Sequence, residues 1–349
     1  MPMKKYLKED WPMYLIFLVV AIVVLKNVFT SNKKENKIEW QENMPDYWTA
    51  PVLLSDNSIS GDQRKIVGYG QDLIANTSKY FGPGGSVLQI TNGMNCQNCH
   101  LDAGTRPFGN NYSAVASTYP KFRERSGMVE TIAKRVNDCL ERSLNGEAID
   151  TTGYEMRSII AYIKWLGKNV NKGERPNGAG ITDLPFLNRG ANPKNGQIVY
   201  TQKCQSCHAQ NGEGFNNPNN IGYLYPPLWG EHSYNTGAGL FRLSRFAGYV
   251  KYNMPFNLAT HDAPVLTDEE AWDVAAYINA QTRPLADIKN DWPNISAKPF
   301  DHPFGPYTDG FTEEQHKFGP FKMIVDKKNE MKNIKLVKDT IKIKNPVGS

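Results

Sequence analysis

The segments Cys96-Gln-Asn-Cys99-His100 and Cys204-Gln-Ser-Cys207-His208 are two copies of one five-residue signature. Cys-x-x-Cys-His is the attachment motif of c-type haem, in which the thiols form thioether bonds and the histidine binds iron. Paired Cys-x-x-Cys motifs also occur in tetrahedral zinc sites. Zinc is disfavoured here because a histidine follows each pair directly and the pairs lie 108 residues apart. The sequence therefore predicts an electron-transfer protein with two covalently bound haem c groups, attached through Cys96, Cys99, Cys204 and Cys207 and ligated by His100 and His208.

The two motifs lie in diverged copies of one helical arrangement. Each copy has a short helix, the motif, a loop-rich stretch and a final helix that contains Ala-Tyr-Ile, at residues 161–163 and 276–278. Periodicity and capping signals predict the helices Gln71–Phe81, Met128–Leu144 and Tyr154–Leu166, a helix over Gly196–Lys203, and one from Thr267 to about Gln281. This layout is that of small cytochrome c domains. The predicted fold is mainly α, with two cytochrome c-like helical haem domains in tandem.

Composition divides the 349 residues further. We predict a signal peptide or membrane anchor (1–30), a tether (31–45), a catalytic haem 1 domain (46–172), a linker (173–190), an electron-transferring haem 2 domain (191–284) and an extended C-terminal segment (285–349). The charge is nearly balanced, with 40 basic and 35 acidic residues. No nucleic acid partner is therefore expected.

Export is predicted from the N-terminus. Basic residues precede an apolar run from Met13 to Leu25, which is the order of a signal peptide. The run is short for a membrane span, but residues 11–29 could form an uncleaved inner-membrane anchor if the Lys26 ammonium reaches the interface. Covalent haem attachment takes place outside the cytoplasmic membrane, so both alternatives predict a periplasmic protein.

The repeat also predicts the sixth iron ligands. Met254 stands in a loop before a proline and precedes Ala276 by 22 positions. Cys139, the cysteine not needed for haem attachment, precedes Ala161 by the same 22 positions. Free cysteines are more often buried apolar residues than ligands, but this register favours Cys139 as the distal ligand of haem 1 and Met254 as that of haem 2. Thiolate ligation favours ferric iron and Met/His ligation raises the potential, so electrons would run from haem 1 to haem 2.

An anion site is predicted around Cys139. On the expected helix, Arg135 and Ser143 share its face at i−4 and i+4, Arg142 lies beside it, and Arg125 precedes the helix. Guanidinium groups bind oxyanions through bidentate hydrogen bonds. The alternatives are a solvated helix face and arginines that pair with haem propionates.

These residues carry a family resemblance. Gly93–Gly104, the block Arg135-Val-Asn-Asp-Cys139-Leu-Glu-Arg142-Ser143-Leu-Asn-Gly146, and the tail segments Pro303–Tyr307 and Asp309–Pro320 resemble the dihaem thiosulfate dehydrogenases. The resemblance covers residues 45–325 and implies coupling of two thiosulfates to tetrathionate, reversibly in some members as tetrathionate reduction. It implies that Arg125, Arg135, Cys139 and Ser143 form the catalytic pocket. A lysine beside the methionine serves some members as a haem 2 ligand, but Lys251 lies three positions before Met254, so methionine is preferred.

The expected electron acceptor is a small soluble cytochrome or a membrane electron-transport component. The main alternative is a dihaem electron-transfer cytochrome c without a substrate of its own, which leaves Cys139 and its arginines as coincidence. A dihaem peroxidase would need an open or histidine-gated iron. A His/Cys cytochrome of a sulfur-oxidation complex would work with a carrier protein and a partner subunit.

Overall fold

The computed structural model describes residues 46–219 and 221–344, with side chains as far as residue 334, together with six positions between Leu18 and Lys26. A boundary between two units falls at residue 46, and the residues described below belong to the unit that begins at Asp46. Among the described residues, no helix has the length and apolar character needed to cross a membrane. The predicted signal or anchor and the tether lie almost entirely outside the described residues.

The first domain is helical with one short hairpin. Its helices are α1 (Gly61–Ala75), α2 (Thr77–Phe81), α3 (Leu101–Gly104), α4 (Val115–Thr118), α5 (Ile132–Arg142) and α6 (Tyr154–Leu166). The hairpin pairs β1 (Lys121–Arg123) antiparallel with β2 (Met128–Glu130). Helix α1 packs against α6, and α5 packs against the same helix from another side.

Two of the predicted helices have different bounds. The helix expected over Gln71–Phe81 is the end of α1 followed by α2. The helix expected from Met128 begins only at Ile132, because residues 128–130 pair with β1 and the Thr131 side chain caps α5 by accepting from Lys134 N. Helix α6 has the predicted bounds.

The second domain repeats this architecture. It contains α7 (Pro193–Lys203), α8 (Gln205–His208), β3 (Phe215–Asn216), β4 (Tyr223–Tyr225), α9 (Leu243–Asn253) and α10 (Asp268–Ala280). The predicted capping box of α10 is present, with Thr267 and Glu270 each bonding the other's backbone N–H. Helix α10 packs against α7 and α9.

A glycine on the first helix of each domain permits the same close helix crossing. A Cβ on Gly70 would lie 2.0 Å from Ser158 O, and one on Gly196 would lie 1.9 Å from Asp273 O. The next contacts are the Cβ atoms of Tyr162 and Tyr277, the tyrosines of the two Ala-Tyr-Ile triplets. The internal repeat read from the sequence is therefore a repeat of packing geometry.

The two domains share a packed boundary. The apolar core of the second domain, built on Tyr200, Trp272 and Ala276, also takes in Leu101 and the edge of Cys99 from the first domain. Tyr249 on α9 donates its hydroxyl to Asn98 O, inside the first haem motif, at 2.8 Å. The first motif is thus held from outside its own domain.

The C-terminal segment docks on both domains. It includes α11 (Glu313–Phe318) and α12 (Phe321–Lys344), and Phe321 and Ile324 enter the core of the second domain. Asp301 is fully buried and accepts from Arg242 and from the Ser244 hydroxyl. Together these contacts show an ordered covering for the two domains.

Candidate active site

The first motif presents its histidine in a form suited to iron. Residues Cys96–Asn98 form a 3₁₀ turn, and His100 follows it. His100 Nδ1 lies 2.5 Å from Asn110 O. A backbone carbonyl can only accept, so Nδ1 carries the proton and the Nε2 lone pair is available to a metal. Tyr112 stacks on the imidazole at 4.5 Å and restrains its plane.

The cavity beside this motif fits a haem. Cys96, Cys99 and His100 line it together with apolar side chains of the first-domain core, which are Ile74, Phe81, Ile132, Leu140, Leu144, Ile159 and Ile163. Burial raises the pKa of the two thiols, to about 11 for Cys96 and about 12 for Cys99. An apolar slot with two thiols and a neutral imidazole is the donor set that a c-type macrocycle requires.

The second motif has the same arrangement. His208 Nδ1 lies 2.9 Å from Pro226 O, which again leaves Nε2 for iron. Burial lowers the pKa of His208, so its neutral form is favoured. Met254 is the residue that caps the C-terminus of α9, and it packs with Cys204 against the second-domain core. The residues of this domain also fit a haem.

Lys251, the alternative haem 2 ligand, is occupied elsewhere. Its Nζ donates to Leu266 O at 2.6 Å and pairs with Asp268 at 2.9 Å. Both partners lie at the start of α10. These contacts favour Met254 as the residue nearer the ligand position.

Cys139 lies on α5 and lines the same cavity as Cys96, Cys99 and His100. Cys139 interacts electrostatically with both motif thiols. The 22-residue register therefore identified a side chain that the fold brings to the first haem motif. Its role as the distal ligand stays a prediction.

Arg135 and Ser143 also line the cavity, one helical turn before and after Cys139. The backbone N–H of Arg135 donates to Thr131 O, but its side chain forms no hydrogen bond or salt bridge with any residue that the structure describes. Interaction with Cys139 raises the pKa of Arg135, so this guanidinium keeps its charge. An unpaired guanidinium beside a thiol is suited to an anion.

Arg125 does not line the cavity. Its Nη1 donates to Gly237 O at 3.2 Å, and its Nε lies 4.0 Å from Asp291. Burial, with repulsion from Arg135 and Arg142, lowers the pKa of Arg125 to about 10. Arg125 is thus close enough to Arg135 to interact with it, but contacts from the second domain and the C-terminal segment hold it.

Arg142 was expected beside Cys139 in an anion site, but it binds a carboxylate of the C-terminal segment. Its guanidinium makes two hydrogen bonds to the Asp291 carboxylate, at 2.7 and 2.9 Å. Burial lowers the pKa of Arg142, but the bonds and charge of Asp291 outweigh it and the net shift is upward. Arg142 therefore anchors the C-terminal segment.

Three further cations line the cavity and were missed in the sequence. Lys121 and Arg123 share one face of β1, and Arg175 comes from the loop after α6. Burial, with repulsion from these two arginines, lowers the pKa of Lys121. Alternate spacing on a strand could have indicated the first two, but no strand was predicted at residues 121–123. The cavity is thus basic beyond Arg135.

Comparison with known proteins agrees with this site. Residues 88–171 match the family model "SoxA/TsdA, cytochrome c domain", and residues 193–282 match "Cytochrome c". These two domains imply haem c cofactors and confirm the predicted tandem fold. Each match contains one Cys-x-x-Cys-His motif, and the first also contains Cys139.

Curated relatives are similar over more than half of this chain. The chain is 35% identical over 209 residues to a thiosulfate dehydrogenase of Psychrobacter arcticus, covering 60% of this chain and 62% of that protein. It is 37% identical over 200 residues to a thiosulfate dehydrogenase of Allochromatium vinosum, covering 56% of this chain and 72% of that protein. The matched segment thus spans a little under two thirds of the first relative and more of the second.

A solved structure has the same fold. Thiosulfate dehydrogenase (TsdBA) from Marichromatium purpuratum, in its as-isolated form, superposes with a TM-score of 0.62 at 32% identity. The superposition covers 69% of this chain and 50% of that chain. On the identity and coverage of these relatives, the chain belongs to the thiosulfate dehydrogenase family.

Proposed function

We propose that this protein couples two thiosulfate ions to tetrathionate and passes the two electrons to an external acceptor, with the reverse reaction, tetrathionate reduction, open to the same site. One observation carries the proposal. Cys139, Arg135 and Ser143 line the same cavity as Cys96, Cys99 and His100. A plain electron carrier does not need a thiol and an unpaired guanidinium at its haem motif.

The residues that would hold the cofactors follow from the motifs. Cys96 and Cys99 would attach haem 1, and Cys204 and Cys207 would attach haem 2. His100 and Cys139 would bind the iron of haem 1, and His208 and Met254 that of haem 2. When bound, the two haem c groups supply one-electron acceptors at two potentials, the thiolate-ligated one lower and the methionine-ligated one higher. Substrate binding and sulfur exchange are assigned to side chains of this chain.

Substrate binding is assigned to the basic side chains of the cavity. Arg135 would hold the sulfonate end of thiosulfate, with Ser143 donating from one turn further along α5 and Arg125 acting beside Arg135. Guanidinium–oxyanion hydrogen bonds contribute about 1.5–3 kcal/mol each. They leave the terminal sulfur of thiosulfate free to approach Cys139.

The sulfur chemistry is a two-electron oxidation followed by a sulfur exchange. The Cys139 thiolate and the terminal sulfur of one thiosulfate form a sulfur–sulfur bond with release of two electrons. The terminal sulfur of a second thiosulfate then attacks the substrate-derived sulfur of that bond. This attack displaces the Cys139 thiolate and releases tetrathionate, as in thiol–disulfide exchange.

The setting of this reaction is the periplasm, because covalent haem attachment takes place there. The acceptor would be a small soluble cytochrome or a membrane electron-transport component, and nucleic acid is not expected as a partner. Residues 1–30 would supply the export signal, and residues 11–29 the anchor if they are retained.

Thiosulfate-dependent reduction of ferricyanide by the purified haem-loaded protein tests the proposal, with tetrathionate measured as product. We expect one tetrathionate for every two electrons, and thiosulfate formation from tetrathionate with a reductant. A protein with both haems attached and reducible that turns over in neither direction would be an electron carrier, and the proposal would be wrong.

A further inference from the structure

Three separate segments meet around the Arg125 side chain. The turn after β1 supplies Arg125 itself, a second-domain loop supplies Gly237 O, and the C-terminal segment supplies Asp291 and Trp292. Trp292 N donates to Arg125 O at 2.7 Å, so the C-terminal segment holds both the backbone and the side chain of Arg125. None of these contacts follows from the cytochrome fold.

Asp291 is the counter-charge of this cluster. It makes both hydrogen bonds of Arg142 and lies 4.0 Å from Arg125 Nε, and its side chain is only 11% exposed. No other carboxylate in the described chain forms a salt bridge with either arginine. Arg135 also interacts with Asp138 and Glu130, and Arg142 with Asp138 and Glu141. At Arg125 itself, burial and repulsion from Arg135 and Arg142 outweigh the attraction of Asp291 and lower its pKa, so this position favours further negative charge.

Two buried donors in the cluster have no acceptor. Arg125 Nε and Trp292 Nε1 make no hydrogen bond to any described residue. Trp292 is 8% exposed, and the Arg125 guanidinium carbon lies 5.9 Å from its ring. A buried donor left unpaired destabilises the fold, because it has given up its hydrogen bond to water without replacement. Two of them in one contact indicate an acceptor that the polypeptide does not provide.

We propose that Arg125 Nε and Trp292 Nε1 donate to one bound oxyanion, and that Asp291 is a positioning residue that holds Arg125 for this task. The C-terminal segment is then part of the site and not only a covering. The sulfonate of the substrate and a propionate carboxylate of haem 1 share this chemistry. The assignment to a substrate sulfonate rests on the proposed function, whereas the assignment to a haem propionate does not.

The test uses the full-length haem-loaded protein and the variants Trp292→Phe and Asp291→Asn. Trp292→Phe keeps an aromatic ring and removes only the donor. Asp287→Asn is the matched control, because it makes the same charge change in the same segment at an exposed pair with Lys289. Asp291→Glu keeps the carboxylate and tests whether it restores the function lost in Asp291→Asn. It can also be measured if Asp291→Asn loads haem poorly.

Two readouts distinguish the sources of the oxyanion. Equilibrium dialysis of radiolabelled thiosulfate against the fully reduced protein, which cannot turn over, gives a dissociation constant. A redox titration gives the potentials of the two haems. For a substrate sulfonate, Trp292→Phe and Asp291→Asn each weaken thiosulfate binding at least about tenfold, with KM rising more than kcat falls, and Asp291→Glu recovers part of the loss. For a haem propionate, thiosulfate binding is unchanged and Trp292→Phe shifts the potential of haem 1.

The control Asp287→Asn should change neither readout. If Trp292→Phe has the same thiosulfate dissociation constant and the same haem potentials as the wild-type protein, the proposed oxyanion site is wrong. An unchanged KM in Asp291→Asn, together with unchanged binding and potentials, would overturn the positioning role. If the wild-type protein neither binds nor oxidises thiosulfate, the proposed function fails, and the potentials alone then decide whether the donor pair binds a carboxylate.

Discussion

The Tyr249 hydroxyl donates a hydrogen bond of 2.8 Å to Asn98 O, which connects α9 of the second domain to the first haem motif. Helix α9 ends at Asn253, directly before Met254. One rigid helix therefore contacts the first motif along its length and carries the predicted ligand of haem 2 at its end. This contact ties the second domain directly to the first haem motif.

Replacing Tyr249 with phenylalanine should lower the free energy of unfolding by about 0.5–1.5 kcal/mol, because it removes a hydrogen bond to the partly buried Asn98 O. Denaturant unfolding of the haem-loaded protein measures this loss. Tyr252→Phe on the same helix is the control, and it should change stability by less than about 0.5 kcal/mol, since no hydrogen bond of its hydroxyl is found among the described residues. Equal stability of both variants would contradict the structural role given to Tyr249.

The helix crossings at Gly70 and Gly196 give a second prediction. Alanine at either position places a Cβ far inside van der Waals contact with a carbonyl oxygen, at 2.0 and 1.9 Å. Overpacking of this kind costs about 1–3 kcal/mol or more, because backbone must move. The melting temperature of each variant should fall. Gly61→Ala, at a position with open space around it, should leave the melting temperature unchanged or raise it.

Local patterns predicted the centre of the site. The two motifs, the Ala-Tyr-Ile triplets and the spacing of Cys139 lie within helices and repeat units, so short-range geometry was enough to bring Cys139, Arg135 and Ser143 to one cavity. The same repeat is expressed in the crossing of α7 with α10, which matches that of α1 with α6. Periodicity works here because each helix packs through one face.

The surroundings of the site depend on contacts that are distant in sequence. Arg142 and Asp291 are 149 positions apart, and no repeat or spacing relates them. Met128 and Val129 were assigned to a helix because they are apolar, but their pairing with β1 decides their structure. Arg125 interacts with Arg135 in the structure, but its dependence on the C-terminal segment could not be read from the sequence around either residue.

The burial of His302 predicts a pH dependence of stability. Burial lowers the pKa of His302 from 6.5 to about 4, with Lys298 and Arg125 adding to the shift. Between about pH 6.5 and pH 4 the unfolded chain binds a proton that the folded chain does not, so stability should fall by up to roughly 3 kcal/mol over this range. Above pH 6.5 this residue contributes no pH dependence.

Denaturant unfolding at pH 7 and pH 4.5 measures this effect. His302→Gln should reduce the difference between the two pH values, whereas the same change at exposed His232 should not. A wild-type difference that His302→Gln leaves intact would assign the acid sensitivity to other groups.

The cations at the cavity predict salt-sensitive substrate capture. Lys121, Arg123 and Arg175 repel one another, and Lys121 has no salt bridge in the described chain. They should attract an anionic substrate, and salt should screen this attraction. We expect kcat/KM for thiosulfate to fall with ionic strength, and Lys121→Gln to lower it by roughly threefold at low salt. Lys194→Gln, on an exposed face of α7, should have no effect, and the same result for Lys121→Gln would assign that residue to another task.

Replacing Cys139 tests the chemistry most directly. In the proposed mechanism Cys139 both binds the first sulfur and leaves when the second thiosulfate attacks, so no neighbouring group can substitute for it. Cys139→Gly should lower turnover at least about 10³-fold, while a pyridine haemochrome assay still finds two haems for each chain. Ser143→Ala is the matched comparison, since Ser143 lines the same cavity one turn away and its loss should raise KM while leaving sulfur exchange intact.

Mass spectrometry of the wild-type protein after thiosulfate treatment and acid quenching should find one thiosulfate bound to the peptide that contains Cys139. Full activity of Cys139→Gly would refute the covalent role, because the thiol would then serve only as an iron ligand or a packing residue.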